Sequence, residues 1–137
     1  MKNTIYDLTN AQQSIWLTEQ YLKNTSIGNI TGIVTINEEV DINKLKSSIF
    51  EFVKRNEAMR TKIIIESGVP KQYFESIEDF KFSVNITKLS SKKDVSILAK
   101  KTARTPFNLI DSNLFNFEIF VLPNKHARSC DFYSSHY

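Results

Sequence analysis

The sequence predicts an α/β protein, an α+β two-layer sandwich, on three observations. Three stretches carry apolar residues at helical spacing, and each opens on a capping residue: Thr9, Asp41 and Ser91. Between them lie short runs that are β-branched or alternate apolar with polar residues. The turn Ser67-Gly68-Val69-Pro70 joins two of those runs as a hairpin. The order that results is helix, strand, helix, strand, strand, strand, helix, strand. A doubly wound parallel sheet would alternate strand and helix strictly, so the pattern favours mixed layers.

Each element has its own signal. Thr9 with Gln12 completes a capping box, and Ala11, Ile15, Trp16 and Leu22 continue a helix to about Lys23. Trp16 reads as core. Asn24 to Gly28 breaks the pattern, and Ile30 to Ile36 reads as a strand holding Gly32, where a bulge or close backbone approach is expected. Asp41 caps a helix whose stripe is Ile42, Leu45, Ile49, Phe52 and Val53. Lys62–Glu66 and Lys71–Phe74 read as the hairpin strands. Phe80, Phe82, Val84 and Ile86 alternate with Lys81, Ser83 and Asn85 as a half-buried strand. Ser91 with Asp94 opens a helix through Val95, Leu98, Ala99 and Thr102, and Pro106 ends it. Phe115, Phe117, Ile119 and Val121 alternate as another strand, followed by a Pro123-Asn124 turn. From Lys125 to Tyr137 neither period is present, so no returning strand is expected there.

Composition narrows the function classes. At 137 residues the chain is one domain or part of one, with 41% hydrophobic residues and ten Phe, enough for a packed core. A net charge of +3, with lysines along the whole chain, argues against nucleic acid. Cys130 is the single cysteine, so a disulfide framework is excluded and a reducing, cytoplasmic setting fits. The start reads as no signal peptide, and no run reaches a membrane span. Asn29-Ile30-Thr31 and Asn85-Ile86-Thr87 match the glycosylation sequon but read as ordinary strand residues. His126, Cys130, Asp131 and His136 are metal-capable types whose spacing fits no zinc pattern, so no metal site is expected. A His126–Cys130 base and nucleophile pair is set aside because nothing holds it on a scaffold.

The stretch around which the chain is organised is Arg55-Asn56-Glu57-Ala58-Met59-Arg60-Thr61, at the corner from the second helix into a strand. Two readings compete: a solvated turn, or a site in which charge is held by partners, because an unpaired buried charge is costly.

Three segments, in order and correctly spaced, resemble the condensation domains of nonribosomal peptide synthetases. Leu8-Thr9-Asn10-Ala11-Gln12-Gln13-Ser14-Ile15-Trp16 is similar to the opening motif [ST]-x-A-Q-x-R-[LM]-W through Thr9, Ala11, Gln12 and Trp16, with Ser14 at the usual Arg. Arg55 to Thr61 is similar to R-H-E-x-L-R-T through Arg55, Glu57, Arg60 and Thr61, with Asn56 for His and Met59 for Leu. Thr105-Pro106-Phe107-Asn108-Leu109 followed by Leu114-Phe115 resembles the P-F-D-L…P-L segment, with Pro106 and Phe107 in place. The resemblance spans residues 8 to about 122. It implies a chloramphenicol acetyltransferase-like fold, of which residues 1–124 would be an incomplete N-terminal lobe and 125–137 an atypical tail.

The resemblance further implies amide bond formation between thioesters held on the phosphopantetheine of peptidyl carrier proteins, with no cofactor bound directly. Peptidyl carrier proteins and the remainder of the synthetase would be the partners, with no nucleic acid and no membrane. The family's H-H-x-x-x-D-G motif is absent. Its Asp would pair with Arg60, which makes Arg60 an active-site brace. His136, at the chain end, is the single catalytic candidate. His126 to Asp131 has the right His-to-Asp spacing but puts Ala127 at the active-site His, and is read as accidental. The tail is expected to be a truncation, a natural fragment or the product of a frameshift after about Asn124, with disorder as the sign of the last and a packed strand over 127–135, aligned in the sheet, as the sign against it. A chain in this state is expected to be inactive alone. The runner-up is a stand-alone module that binds a carrier protein or itself through a sheet edge beside Phe115 and Phe117, giving a homo-oligomer. A third reading is a piece of an epimerisation domain or soluble acyltransferase. With no Asp partner, Arg60 is expected to be solvated or to find another carboxylate.

Overall fold

A computed structural model describes residues 4–23, 25–36, 38–123 and 130–136, the last segment by its backbone alone. The elements are β1 (Tyr6–Asp7), α1 (Asn10–Tyr21), β2 (Ile30–Thr35), α2 (Ile42–Arg55), a 3-10 turn (Glu57–Arg60), β3 (Thr61–Glu66), β4 (Val69–Phe74), β5 (Val84–Lys88), α3 (Lys92–Ala103), β6 (Phe117–Val121) and β7 (Cys130–His136). They form two sheets. The first has the order β1-β4-β3, antiparallel throughout. The second has the order β2-β7-β6-β5, in which only β5 and β6 run parallel. Parallel neighbours need a crossover, and α3 supplies it.

The elements form for local reasons. Asp41 Oδ1 accepts from the backbone N–H groups of Asn43 at 2.9 Å and Lys44 at 3.2 Å, closing the N-terminus of α2. Ser91 caps α3 through its hydroxyl, which accepts from Asp94 N at 3.3 Å. The β3–β4 hairpin turns on Ser67 and Gly68, both at positive φ of 51° and 81°. That pair of conformations matches the right-handed twist of the strands, and glycine takes it without strain.

Side chains along β6 alternate between two cores. Phe117 and Ile119 pack with Ile49 and Val53 of α2, joined by Phe80, Val84 and Phe115. Phe120, with Leu122 just beyond the strand, packs with Val95 of α3. The four-stranded sheet therefore carries α2 on one face and α3 on the other. A third cluster, Leu8, Trp16, Ile63 and Leu109, joins α1 to the three-stranded sheet. Each such large apolar side chain contributes about 1.5–3 kcal/mol when buried.

Four expectations are corrected. Cys130–His136 do form a strand, paired on one side with β2 and on the other with β6. A slot between two strands offers backbone partners on both edges, and that context overrides a weak sequence pattern. The remainder of the tail lies outside the described residues. Phe115 and Phe117 are buried with ring centroids 5.2 Å apart, so they offer no apolar face; the outer strands of this sheet are β2 and β5. The ladder of β5 begins at Val84, not Phe80, because Phe80 and Phe82 are drawn into the aromatic cluster ahead of it. In α1 only Trp16 is buried, while Ile15 lies on the exposed side.

Candidate functional site

The corner between α2 and β3 divides its charges. Arg60 is half-buried and aimed back at the end of α2. Its Nη1 donates to the carbonyls of Val53 at 3.0 Å and Lys54 at 2.8 Å, and its Nε donates to the carbonyl of Glu75 at 3.0 Å. The last carbonyls of a helix have no partner within the helix, and the helix dipole favours a cation there. Arg60 meets both needs. The return bond from Glu75 N to Arg60 O, at 2.9 Å, fixes the backbone of the same residue. Nη2 makes no hydrogen bond among the described residues. Among the described residues Arg60 is not paired with a carboxylate, and it is only partly open to solvent, which corrects the expectation for a chain without its Asp partner: main-chain carbonyls hold it.

Arg55 is different. Its side chain is exposed and, among the described residues, meets only Glu51, at 3.6 Å, a carboxylate that Lys54 also approaches at 3.8 Å. Surface pairs of this kind stabilise little. Glu57 is exposed as well. The solvated reading holds for Arg55 and Glu57, the held reading for Arg60. Thr61 is buried, and its hydroxyl donates to Ala58 O at 2.7 Å, tightening the 3-10 turn.

Next to this corner is a buried lysine in a partly buried ion pair that the sequence did not announce. Lys62 is 8% exposed, and its Nζ lies 2.8 Å from Asn113 Oδ1, 3.6 Å from Glu75 Oε2 and 5.6 Å from the centroid of the Phe80 ring. Glu75 therefore serves both cations: its carbonyl holds Arg60 and its carboxylate faces Lys62.

The other motif residues build a junction. Thr9 N donates to Gln12 Oε1 at 2.8 Å, and Gln12 N donates to Thr9 Oγ1 at 3.3 Å, so the capping box is real. The Gln12 and Gln72 amides donate to each other at 2.8 and 3.0 Å, and Gln72 also donates to Asp7 O at 2.9 Å. This ties α1 to β4 through a residue, Gln72, that is 7% exposed. Trp16 and Leu109 meet at Ile63 of β3, with Phe107 packed beside them. Asp111 N donates to Ile63 O at 2.8 Å, pinning the third motif to the same strand. Ala11 and Pro106 are exposed, and among the described residues the Ser14 hydroxyl bonds within its own helix, to Asn10 O at 3.0 Å. Thus Thr9, Gln12, Trp16 and Phe107 hold the fold, and Arg60 is the motif residue aimed across a corner.

His136 sits on β7, its backbone opposite Ile30, in the other sheet. Its side chain, and all of His126, lie outside the described residues. Asn29 is committed to structure: its amide donates to Ala103 O and Thr105 O, both at 2.9 Å. Among the described residues no cluster of His, Cys, Asp and Glu is arranged to hold a metal, and no helix is long and apolar enough to cross a membrane.

Residues 2–130 match the family model described as the condensation domain. This chain belongs to the condensation domain family. It is 32% identical over 127 residues to surfactin synthase subunit 1 of Bacillus subtilis (strain 168), a match covering 89% of this chain and 4% of that protein. It is 28% identical over 114 residues to bacitracin synthase 3 of Bacillus licheniformis, covering 83% of this chain and 2% of that protein. Among solved structures, the starter condensation domain of rhizomide synthetase RzmA superposes with a TM-score of 0.84 at 17% identity, over 98% of this chain and 34% of that chain. The condensation domain of the monacolin K polyketide synthase MokA gives a TM-score of 0.84 at 13% identity, over 97% and 30%. The fold is the chloramphenicol acetyltransferase-like fold of condensation domains, and the chain is a partial domain.

Proposed function

We propose that this chain is the front of a condensation domain that, in its longer form, joins carrier-bound aminoacyl or peptidyl thioesters in nonribosomal peptide synthesis. In that reaction the acceptor amine attacks the donor thioester carbonyl. The C–N bond forms, the C–S bond breaks, the phosphopantetheine thiol leaves, and the amine proton ends on it. The observation that supports this reading is the match over residues 2–130 together with an Arg60 already braced by three carbonyls. With Nε and Nη1 committed, Nη2 is left to take the Asp of the missing motif as an active-site brace. The substrates come on carrier-protein phosphopantetheine, and the setting is the cytoplasm, as for a synthetase fed by aminoacyl thioesters.

Alone, the chain is inactive in this reading. General base catalysis contributes roughly 10²–10⁴-fold and positioning more, and both need groups this chain does not carry. The tail has a proposed origin in this account, a shift of reading frame after about Asn124, although the pairing of β7 with β2 and β6 counts against it. His126–Tyr137 can be back-translated so that its next frame reads Met-Leu-Val-Leu-Val-Ile-Phe-Ile-His-His-Ile, given thymine in most third positions and TCA for Ser134 and Ser135. That is an apolar strand followed by a His pair, at the place of β7. Reading the coding DNA from the Leu122 codon onward tests it. The expected result is an open next frame continuing through His-His to an Asp-Gly. A next frame that closes, or codons that do not give the His pair, overturns the frameshift and brings the stand-alone carrier-binding module forward.

A further inference from the structure

The charge placement points to α3 as a docking face for an acidic helical surface on a protein partner. The chain has a net charge of only +3, but that charge is concentrated. Residues 91–104 hold Lys92, Lys93, Lys100, Lys101 and Arg104 against one carboxylate, Asp94, so 5 − 1 = +4. The rest of the chain then sums to 3 − 4 = −1. Lysines do lie along the whole chain, but elsewhere carboxylates balance them.

Helical geometry sorts these residues. At 3.6 residues per turn, Lys93, Ile97, Lys100 and Arg104 fall within an arc of about 60°, and the stripe runs about 16 Å along the helix. Lys93, Lys100 and Arg104 are exposed, with Lys101 beside them, and Ile97 in their midst is 55% exposed. The opposite side carries Val95 and Ala99 into the core. None of the stripe's cations has a carboxylate within ion-pair distance among the described residues. Asp94 is turned to the cap, accepting from the Ser91 hydroxyl at 2.8 Å. The helix is also fixed at its far end, where the Asn29 amide holds Ala103 O and Thr105 O. A rigid, unpaired row of cations around one apolar side chain is complementary to a helix bearing Asp or Glu at matching spacing. One exposed isoleucine is too little apolar surface for a membrane face. α3 has no aromatic residue on which a base could stack.

This inference does not rest on the condensation reading. Binding to the whole chain would be measured by calorimetry at low and moderate salt. The probes are a synthetic helix carrying glutamates at i, i+4, i+7 and i+11 around one leucine, its glutamine counterpart, a low-isoelectric-point carrier protein, duplex DNA, and anionic vesicles. The variants are Lys93→Glu/Lys100→Glu/Arg104→Glu and the control Lys44→Glu/Lys46→Glu/Lys88→Glu, each checked for an unchanged far-UV spectrum. The expected result is binding of the glutamate helix and the carrier protein, weakened about tenfold or more by added salt and by the α3 variant, and about twofold or less by the control. Binding of the glutamate helix with these sensitivities, but no binding of the carrier protein, supports the docking face and counts against the carrier-protein reading. Tighter binding of DNA or vesicles than of the glutamate helix overturns the proposal. So does equal loss in both variants, or no binding of any probe.

Discussion

Arg55 and Arg60 stand five positions apart at the same corner, and they are held by different kinds of partner. Arg55 reaches into solvent and shares one surface carboxylate with Lys54. Arg60 turns inward onto three main-chain carbonyls and stands beside the partly buried Lys62–Glu75 pair. Charge alone therefore says nothing about worth. What separates the two is whether the partner is a mobile carboxylate in water or a fixed carbonyl at a helix end.

The comparison can be broken in stages. Lys62→Ala has the largest expected effect, about 3 kcal/mol, because it leaves Glu75 facing a partly buried vacancy; the range for a broken buried pair is about 3–5 kcal/mol and Glu75 keeps some solvent. Arg60→Ala is expected to cost about 2 kcal/mol, since hydrogen bonds to charged groups are worth about 1.5–3 kcal/mol and the α2 carbonyls lose their cation. Arg55→Ala is expected to cost about 0.5 kcal/mol or less. Urea titration of all three variants gives the order directly; equal losses at Arg55 and Arg60 would erase the distinction drawn here.

Alkali sharpens the comparison by removing protons elsewhere. The hydrogen bond to Asp7 raises the Lys71 pKa, and burial, with Asp111 next, raises that of Tyr73. Both groups hold their protons more tightly folded than unfolded. Their stabilisation is complete below the unfolded values of 10.0 and 10.5 and is lost as pH rises through the folded ones. Melting temperature should fall above pH 10 with a shallower slope in Tyr73→Phe, while the gap between the Arg55 and Arg60 variants stays constant, as arginine keeps its proton there. A melting temperature flat through that range would contradict it.

The sequence made some of this legible. The α2 stripe, Ile42, Leu45, Ile49 and Val53, is the stripe that packs, although Phe52 within it is 49% exposed. The Thr9 capping box and the Trp16 core position are where their patterns put them. The acceptors of Arg60 were not legible, because a carbonyl carries no residue type. Nor was Gln72, whose role comes from facing Gln12 across sixty positions of chain. The strand β7 was missed because its pairing is set by β2 and β6 on either side, not by its own alternation. The concentration of charge on α3 was present in the sequence but hidden by averaging over the chain.

Central to all of this is the proposal that a chain with the scaffold of a condensation domain is inactive alone. The direct test offers it a donor aminoacyl thioester on one carrier protein and an acceptor on another, and follows dipeptidyl carrier by intact mass. The predicted result is no dipeptide above the rate without the chain. Turnover that is abolished by His136→Ala would contradict the claim and place a catalytic group in the tail.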